Sequence, residues 1–185
     1  TTGFEIQDRS YDLDTGSWSS PLPALDSPRT LVLAFGAPEV REHPRPLEDL
    51  AKAYPRSVVL GCSSAGEIHG TSIHDRSVSA SVTRFDKTDL KIVSLDVAGP
   101  GDSYAVGQAL AKRLLATAGL RAVLVLSEGL NVNGSELVRG LNAVLDDSIV
   151  VTGGLSGDGT RFGQTWVAIG SKIRPNVVAA VGFYG

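Results

Sequence analysis

The sequence is poor in several features that would each point to a particular class of protein. It has one cysteine, Cys62, which excludes an internal disulfide framework and a zinc site built from several cysteines. Its 17 Lys and Arg residues stand against 20 Asp and Glu residues, and this balance argues against a nucleic-acid partner. No apolar run reaches the roughly 18 to 20 residues that a transmembrane helix needs, so we expect no membrane partner.

Methionine is also absent, even at position 1, so we expect the chain to be a piece of a longer protein. A length of 185 residues suits one main domain. We interpret residues 1–29 as an irregular N-terminal arm and residues 30–185 as the domain. The first residues lack the basic and apolar regions of a signal peptide, and we expect a cytoplasmic location.

Short continuous apolar runs predict four buried strands. They lie at 31–35, 57–60, 122–126 and 148–152. Helices are predicted between these strands, and alternating apolar and polar residues predict antiparallel strands at 77–85 and 90–97, paired with each other. We therefore expect a mixed, mostly buried β-sheet with helices packed on it, a layered α/β sandwich.

Three polar, glycine-bearing loops follow buried strands, at 61–67, 127–134 and 153–159. In open α/β sheets a ligand lies beyond the carboxyl ends of the strands, so parallel strands would bring these loops to one pocket. The alternative is that the loops are only turns and helix caps. The candidate side chains are the hydroxyls of Ser63, Ser64 and Ser156, the amides of Asn131 and Asn133, and the carboxylates of Glu67, Glu128 and Asp158.

The charge of these loops favours a small ligand with an amine over a polyphosphate. The carboxylates would pair with an ammonium group, while backbone N–H groups and the helix that Asn133 caps would hold a carboxylate. An amino-acid-like zwitterion satisfies both demands. The 153–159 loop lacks the patterns of a P-loop or a dinucleotide site, and the spacing of His69, His74 and Asp75 fits no metal site, so we expect neither cofactor nor metal.

Two alternatives from other functional classes stay open. One is a hydrolase or transferase in which Cys62 or Ser63 is the nucleophile, because 61–65 loosely resembles the G-x-S-x-G nucleophile elbow. The segment after it is a poor helix, and the order of acid and histidine does not fit a hydrolase triad. The other alternative is a protein-interaction scaffold that binds no small molecule. We favour a non-enzymatic ligand-binding domain, with no catalytic residues.

Three motifs, in this order, resemble the FIST N-terminal domain. They are VLGCSSAGEI at 59–68, EGLNVNG at 128–134 and GGLSGDG at 153–159. The resemblance covers about residues 30–185 and implies a sensory domain of signal-transduction proteins, proposed to bind small ligands such as amino acids. It maps the ligand site onto Cys62, Ser63, Gly66, Glu67, Asn131, Asn133, Gly134, Gly154 and Asp158.

The resemblance also implies partners. Members of the family usually carry a second, C-terminal FIST domain and act with a downstream signalling output, and we expect this second domain to be missing from the chain. The final strand, residues 177–184, is apolar enough that we expect it to form a partner surface and to drive homo-oligomer formation.

Overall fold

A computed structural model of the chain describes residues 3–185, which form thirteen strands and three α-helices. The strands are β1 Phe4–Asp12, β2 Ser17–Trp18, β3 Thr30–Gly36, β4 Val58–Ser63, β5 Glu67–His69, β6 Ser72–His74, β7 Ser77–Phe85, β8 Asp89–Asp96, β9 Leu120–Ser127, β10 Val150–Leu155, β11 Val167–Ile169, β12 Lys172–Arg174 and β13 Val177–Tyr184. The helices are α1 Arg45–Ala53, α2 Ser103–Leu115 and α3 Gly134–Asn142, with 3-10 helices at Pro38–Arg41 and Pro100–Asp102.

The strands form two stacked sheets and one small hairpin. The larger sheet has the order β12-β11-β4-β3-β7-β1-β2, the smaller sheet has the order β10-β9-β13-β8, and β5 and β6 pair only with each other. Each large sheet contains one parallel pair, β3 with β4 and β9 with β10. The remaining pairs are antiparallel.

Three apolar clusters show that the molecule has four layers, helix, sheet, sheet and helix. Leu60, Leu126 and Val181 belong to the cluster between the two sheets. The outer face of the larger sheet is covered by α1 through Leu47 and Leu50. The outer face of the smaller sheet is covered by α2 and α3, with their own buried leucines. This arrangement confirms the α/β sandwich predicted from the apolar strand runs.

Helices α2 and α3 cross at two glycines that bring their backbones close together. A Cβ at Gly140 would lie 2.1 Å from the carbonyl oxygen of Tyr104, and a Cβ at Gly107 would lie 2.3 Å from that of Leu137. Real side chains do not approach backbone oxygens this closely, so no larger residue fits at either position without moving a helix. The crossing fixes α3 over the smaller sheet.

The prediction of an irregular N-terminal segment is wrong where the structure describes it. Phe4–Asp12 forms a nine-residue strand that pairs antiparallel with β7 along its whole length. The sequence did not predict this strand because polar residues interrupt its apolar pattern, as is usual for a strand with one face towards solvent. Tyr11 packs edge-on against Trp18 of β2. The domain boundary at residue 29 stays a prediction.

Two further strand predictions are wrong in their partners. Residues 90–97 do not pair with 77–85, because β8 pairs with β13 in the smaller sheet while β7 belongs to the larger one. The final strand is not a partner surface, since β13 lies between β9 and β8 and its residues are almost all buried. An apolar strand covered on both faces has the same sequence signature as an unpartnered apolar surface.

Candidate functional site

The loops that follow β4, β9 and β10 meet at one rim of the sandwich. The backbone N–H of Gly157 donates to the Ser63 carbonyl at 3.0 Å, and that of Ser156 donates to the Ser127 carbonyl at 2.8 Å. Gly129 permits this approach, because a Cβ there would lie 1.9 Å from the Ser156 carbonyl oxygen. The third loop therefore bridges the other two, although β4 lies in the larger sheet and β9 and β10 lie in the smaller one.

Two of the three carboxylates in these loops are occupied by the protein itself. Glu128 accepts hydrogen bonds from the N–H of Leu130 at 2.8 Å, from the N–H of Asn131 at 2.6 Å and from the Thr165 hydroxyl at 2.8 Å. Asp158 accepts from the backbone N–H groups of residues 163 and 164, and these bonds hold its pKa below the ordinary value. Both carboxylates stabilise their own loops, and Asp158 does so through one oxygen, Oδ2.

Glu67 has a different environment. Its side chain is 2% exposed and accepts hydrogen bonds from the hydroxyls of Ser64 at 2.8 Å and Ser77 at 3.1 Å. Burial raises the pKa of Glu67, and the two hydroxyl bonds oppose only part of that rise. Hydroxyl groups can rotate to donate or accept, so Ser64 and Ser77 can adapt to either protonation state of the Glu67 carboxyl when a charged group lies beside it.

A polar cavity of about 330 Å³ opens next to Glu67. We call it the polar cavity; its lining comes from four segments, 37–39, 64–67, 75–76 and 158–161. Both signs of charge line it. The acidic residues are Glu39, Glu67, Asp75 and Asp158, and the basic residues are Arg76 and Arg161.

The arginines of the polar cavity are held by ion pairs at its edge. Arg161 pairs with Glu39, and this hydrogen bond holds the pKa of Glu39 below its ordinary value. Arg76 pairs with Asp14 at 2.8 Å, and both partners of that pair are well exposed. Exposed ion pairs contribute little free energy, so a ligand carboxylate can replace Asp14 at small cost.

A second cavity of about 340 Å³ lies between α3 and β10. We call it the apolar cavity, because its side chains are almost all aliphatic. They are Val125, Leu137, Val138, Leu141, Val151 and Leu155, joined by Thr152 and the glycines 134, 153 and 154. Gly153 has a φ of +144°, and a Cβ there would meet the Val125 carbonyl oxygen at 1.8 Å.

Residues 30–185 match the family model of the FIST N domain. The chain belongs to the FIST family. FIST domains are sensory domains of signal transduction, so the functional class that the three sequence motifs implied is confirmed. A comparison with curated proteins finds no match. Within residues 3–185, no helix is both long enough and apolar enough to cross a bilayer.

The predicted site residues of this FIST N domain do not frame one pocket, so that expectation is wrong. Ser64, Gly66, Glu67 and Asp158 line the polar cavity. Gly134 and Gly154 line the apolar cavity instead. Gly153 and Gly154 also belong to strand β10 and not to the loop after it.

Cys62 and Ser63 line neither cavity. Cys62 is buried between the two sheets, and this burial raises the pKa of its thiol to about 12. The Ser63 hydroxyl accepts a hydrogen bond from the buried backbone N–H of Trp166 at 3.0 Å. A nucleophile needs exposure and an adjacent base, so the surroundings of both residues in the FIST N domain oppose the alternative of a Cys62 or Ser63 enzyme.

The remaining predicted residues have structural contacts. Asn133 caps α3, because its side chain accepts from the Glu136 N–H at 3.2 Å, as predicted. Glu136 pairs with Arg139, while the Asn133 N–H donates to the Ser103 hydroxyl. The Asn131 amide donates to the Asn176 side chain at 2.9 Å on the surface. The buried Ser156 hydroxyl donates to the Ser127 carbonyl at 2.6 Å.

Sequence reasoning missed Glu39, Arg76 and Arg161, which lie outside the three FIST motifs. Arg161 follows the third loop by two residues, and this proximity was the one signal that pointed to it. Asp75 was considered only as part of a metal cluster with His69 and His74. Over the described part of the chain, no group of three or more His, Cys, Asp or Glu side chains is placed to hold a metal ion.

Proposed function

We propose that the polar cavity is the ligand site of this sensory domain and that it takes a small zwitterion of the amino-acid class. The observation that carries the proposal is the presence of both charges in one cavity of about 330 Å³. That volume lies at the lower end of the range for small-molecule sites. The cavity also lies beyond the carboxyl ends of the parallel pair β3 and β4, where α/β sheets bind ligands.

The charged side chains suggest how such a ligand is held. Arg76 supplies two donors in a planar fork, which matches a carboxylate. Asp75 lines the same cavity and forms no ion pair within residues 3–185, so it is free to pair with an ammonium group. Glu67 lies beside it, and an ammonium group there would favour its ionised form.

The third loop offers a route for the signal. Residues 158–161 line the cavity, while Ser156 and Gly157 hydrogen-bond to the loops after β9 and β4. A ligand that binds one arrangement of these loops more tightly shifts the population towards it. We propose that this shift is read by a C-terminal FIST domain and a signalling output in the cytoplasm, which the family membership supports.

Isothermal titration calorimetry with the twenty common amino acids, each up to about 10 mM, tests the ligand site. We expect saturable heat with at least one of them. The informative variant is Arg76→Gln, with Arg84→Gln as its matched control. Both arginines pair with an acid at 2.8 Å, and they are 45% and 44% exposed, but only Arg76 lines the cavity.

The proposal predicts that Arg76→Gln weakens binding at least tenfold, about the effect of losing one charged hydrogen-bonded contact. Arg84→Gln should leave the dissociation constant within twofold of the parent value. Absence of heat with the whole panel would refute the amino-acid ligand, and equal effects of the two variants would refute the site.

A further inference from the structure

Strand β10 is a free sheet edge without the usual protection. It pairs only with β9 within the described residues, and its outer side faces no other strand. Natural edges are commonly protected by charged side chains, proline or a covering loop. Val150–Leu155 has no charge and no proline, and Thr152, Gly153 and Gly154 are exposed. This edge can pair with another strand.

The apolar cavity lies directly beside this edge. Val151, Gly153 and Leu155 of β10 line it together with Val138 of α3. Leu155 and Val138 are 49% and 46% exposed, which is unusual for two large aliphatic side chains that line one cavity. A strand added to β10 would place alternate side chains on the α3 side, where the cavity can receive them.

The end of the edge at which β10 begins carries uncompensated negative charge. Asp146 and Asp147 precede the strand, are exposed, and form no ion pair over residues 3–185. The Ser148 side chain and N–H hold the pKa of Asp146 below its ordinary value. A partner strand with Lys or Arg at its end would complement these two carboxylates.

We propose that the β10 edge and the apolar cavity form a docking site for an extended segment of a partner protein. The segment adds as a strand, inserts an apolar side chain into the cavity and places a basic residue against Asp146 and Asp147. A second copy of β10 fits less well, because residues 146–155 contain no Lys or Arg. The site is separate from the polar cavity, so it does not depend on the amino-acid ligand.

The probe is a fluorescein-labelled, end-blocked peptide, Lys-Val-Ser-Val-Ser-Val-Lys, and the measurement is fluorescence anisotropy with the whole chain. We expect saturable binding to the parent protein. A peptide with Glu at both ends should bind at least tenfold more weakly because of Asp146 and Asp147. A peptide with Pro at the central position should also bind more weakly, because Pro cannot donate to the ladder.

Two variants with a matched control locate the site. Val138→Lys and Leu155→Lys should each raise the dissociation constant at least tenfold, since each places a charge in the cavity. Leu115→Lys is the control, because Leu115 is 42% exposed on α2 but does not line the cavity. The double variant Asp146→Asn with Asp147→Asn should weaken binding of the Lys peptide and reduce its salt dependence.

The result of hydrogen exchange decides how the peptide binds. Strand addition predicts slower exchange of amides in Val151–Leu155 when the peptide is present. No binding, binding without this protection, or equal binding by the Lys-ended and Glu-ended peptides would each overturn the proposal. A parent protein that sediments as a dimer and becomes a monomer on Val138→Lys would also overturn it, in favour of a second copy as the occupant.

Discussion

The two cavities have nearly the same volume but opposite chemistry. The polar cavity lies on the side of the larger sheet and is lined by charges of both signs. The apolar cavity lies on the outer face of the smaller sheet, under α3. The third loop lines the polar cavity, and β10, the strand before that loop, lines the apolar cavity. The comparison teaches that residues of one set of family motifs line two different cavities.

The difference follows from what covers each sheet end. Next to β4 the cover is a hairpin and a 3-10 helix, whose short lengths leave charged residues at the rim. Next to β10 the cover is a helix with a buried leucine stripe, Leu137 and Leu141. Short segments with charges of both signs suit the small charged ligand proposed above, whereas an apolar groove beside a free strand suits a polypeptide.

The largest expected effect is a loss of stability when α3 is displaced, and this displacement should affect the two cavities differently. Gly140→Leu puts a side chain against the Tyr104 carbonyl oxygen and should lower the free energy of unfolding by about 3 kcal/mol or more. Urea denaturation measures this loss. Gly101→Leu is the control, because a Cβ at Gly101 meets nothing within 4 Å.

The same variant then sharpens the comparison. If Gly140→Leu is still folded, the peptide should no longer bind the apolar cavity, while amino-acid binding at the polar cavity should change less than twofold. Loss of both activities in a folded variant would show that the two cavities are one coupled site.

The second effect concerns the loop carboxylate that the protein itself occupies. Glu128→Ala removes the acceptor of three hydrogen bonds and should lower the free energy of unfolding by about 2 to 3 kcal/mol. The control is Glu136→Ala, whose surface pair with Arg139 should cost less than about 1 kcal/mol. A loss of ligand affinity without a loss of stability would mean that Glu128 binds the ligand directly.

A smaller effect tests the thiol. Cys62→Ala leaves a small void between the sheets and should lower the free energy of unfolding by about 1 kcal/mol. Ligand binding should be unchanged, and in the parent protein a thiol reagent should react fast only in denaturant, because the thiol is buried with a pKa of about 12. Fast reaction of the folded protein, or lost ligand binding in Cys62→Ala, would indicate that Cys62 belongs to the ligand site.

The smallest effect is a pH dependence at the polar cavity. Because the folded state raises the pKa of Glu67, its proton binding favours folding at low pH. That stability is lost as pH rises from the ordinary carboxyl pKa through the raised one. Glu67→Gln should remove this fall from the curve of unfolding free energy against pH, while Glu48→Gln, at an exposed position on α1, should keep it. An unchanged curve in Glu67→Gln would contradict the raised pKa.

The sequence predicted an α/β sandwich because apolar runs and helix patterns are local signals, but it predicted one sheet where the structure has two stacked sheets. It did not predict which sheet each strand joins, since β7 and β8 are neighbours in sequence and belong to different sheets. Burial on two faces also gave β13 the pattern of an unpartnered surface. Strand β1 was missed because six of its nine residues are polar or charged, so it contains no continuous apolar run.

For the site, the motifs predicted where the loops meet but not which side chains face a cavity. Glu128 and Asp158 have the composition of ligand residues, yet backbone N–H groups of their own loops occupy them. Arg76 comes from the turn before β7, eight residues beyond the end of the first motif. Such contacts between distant segments carry no local sequence signal.

Amide NMR of the ¹⁵N-labelled chain, titrated with each of the twenty amino acids, tests the central claim most directly. The claim is that the polar cavity, and not the apolar one, senses a small charged molecule. We predict shifts that saturate at Ala65–Glu67, at Arg76 and at Gly159–Arg161, with Gly153–Leu155 unchanged. Shifts confined to Gly134 and Gly153–Leu155, or no shifts with any amino acid, would contradict it.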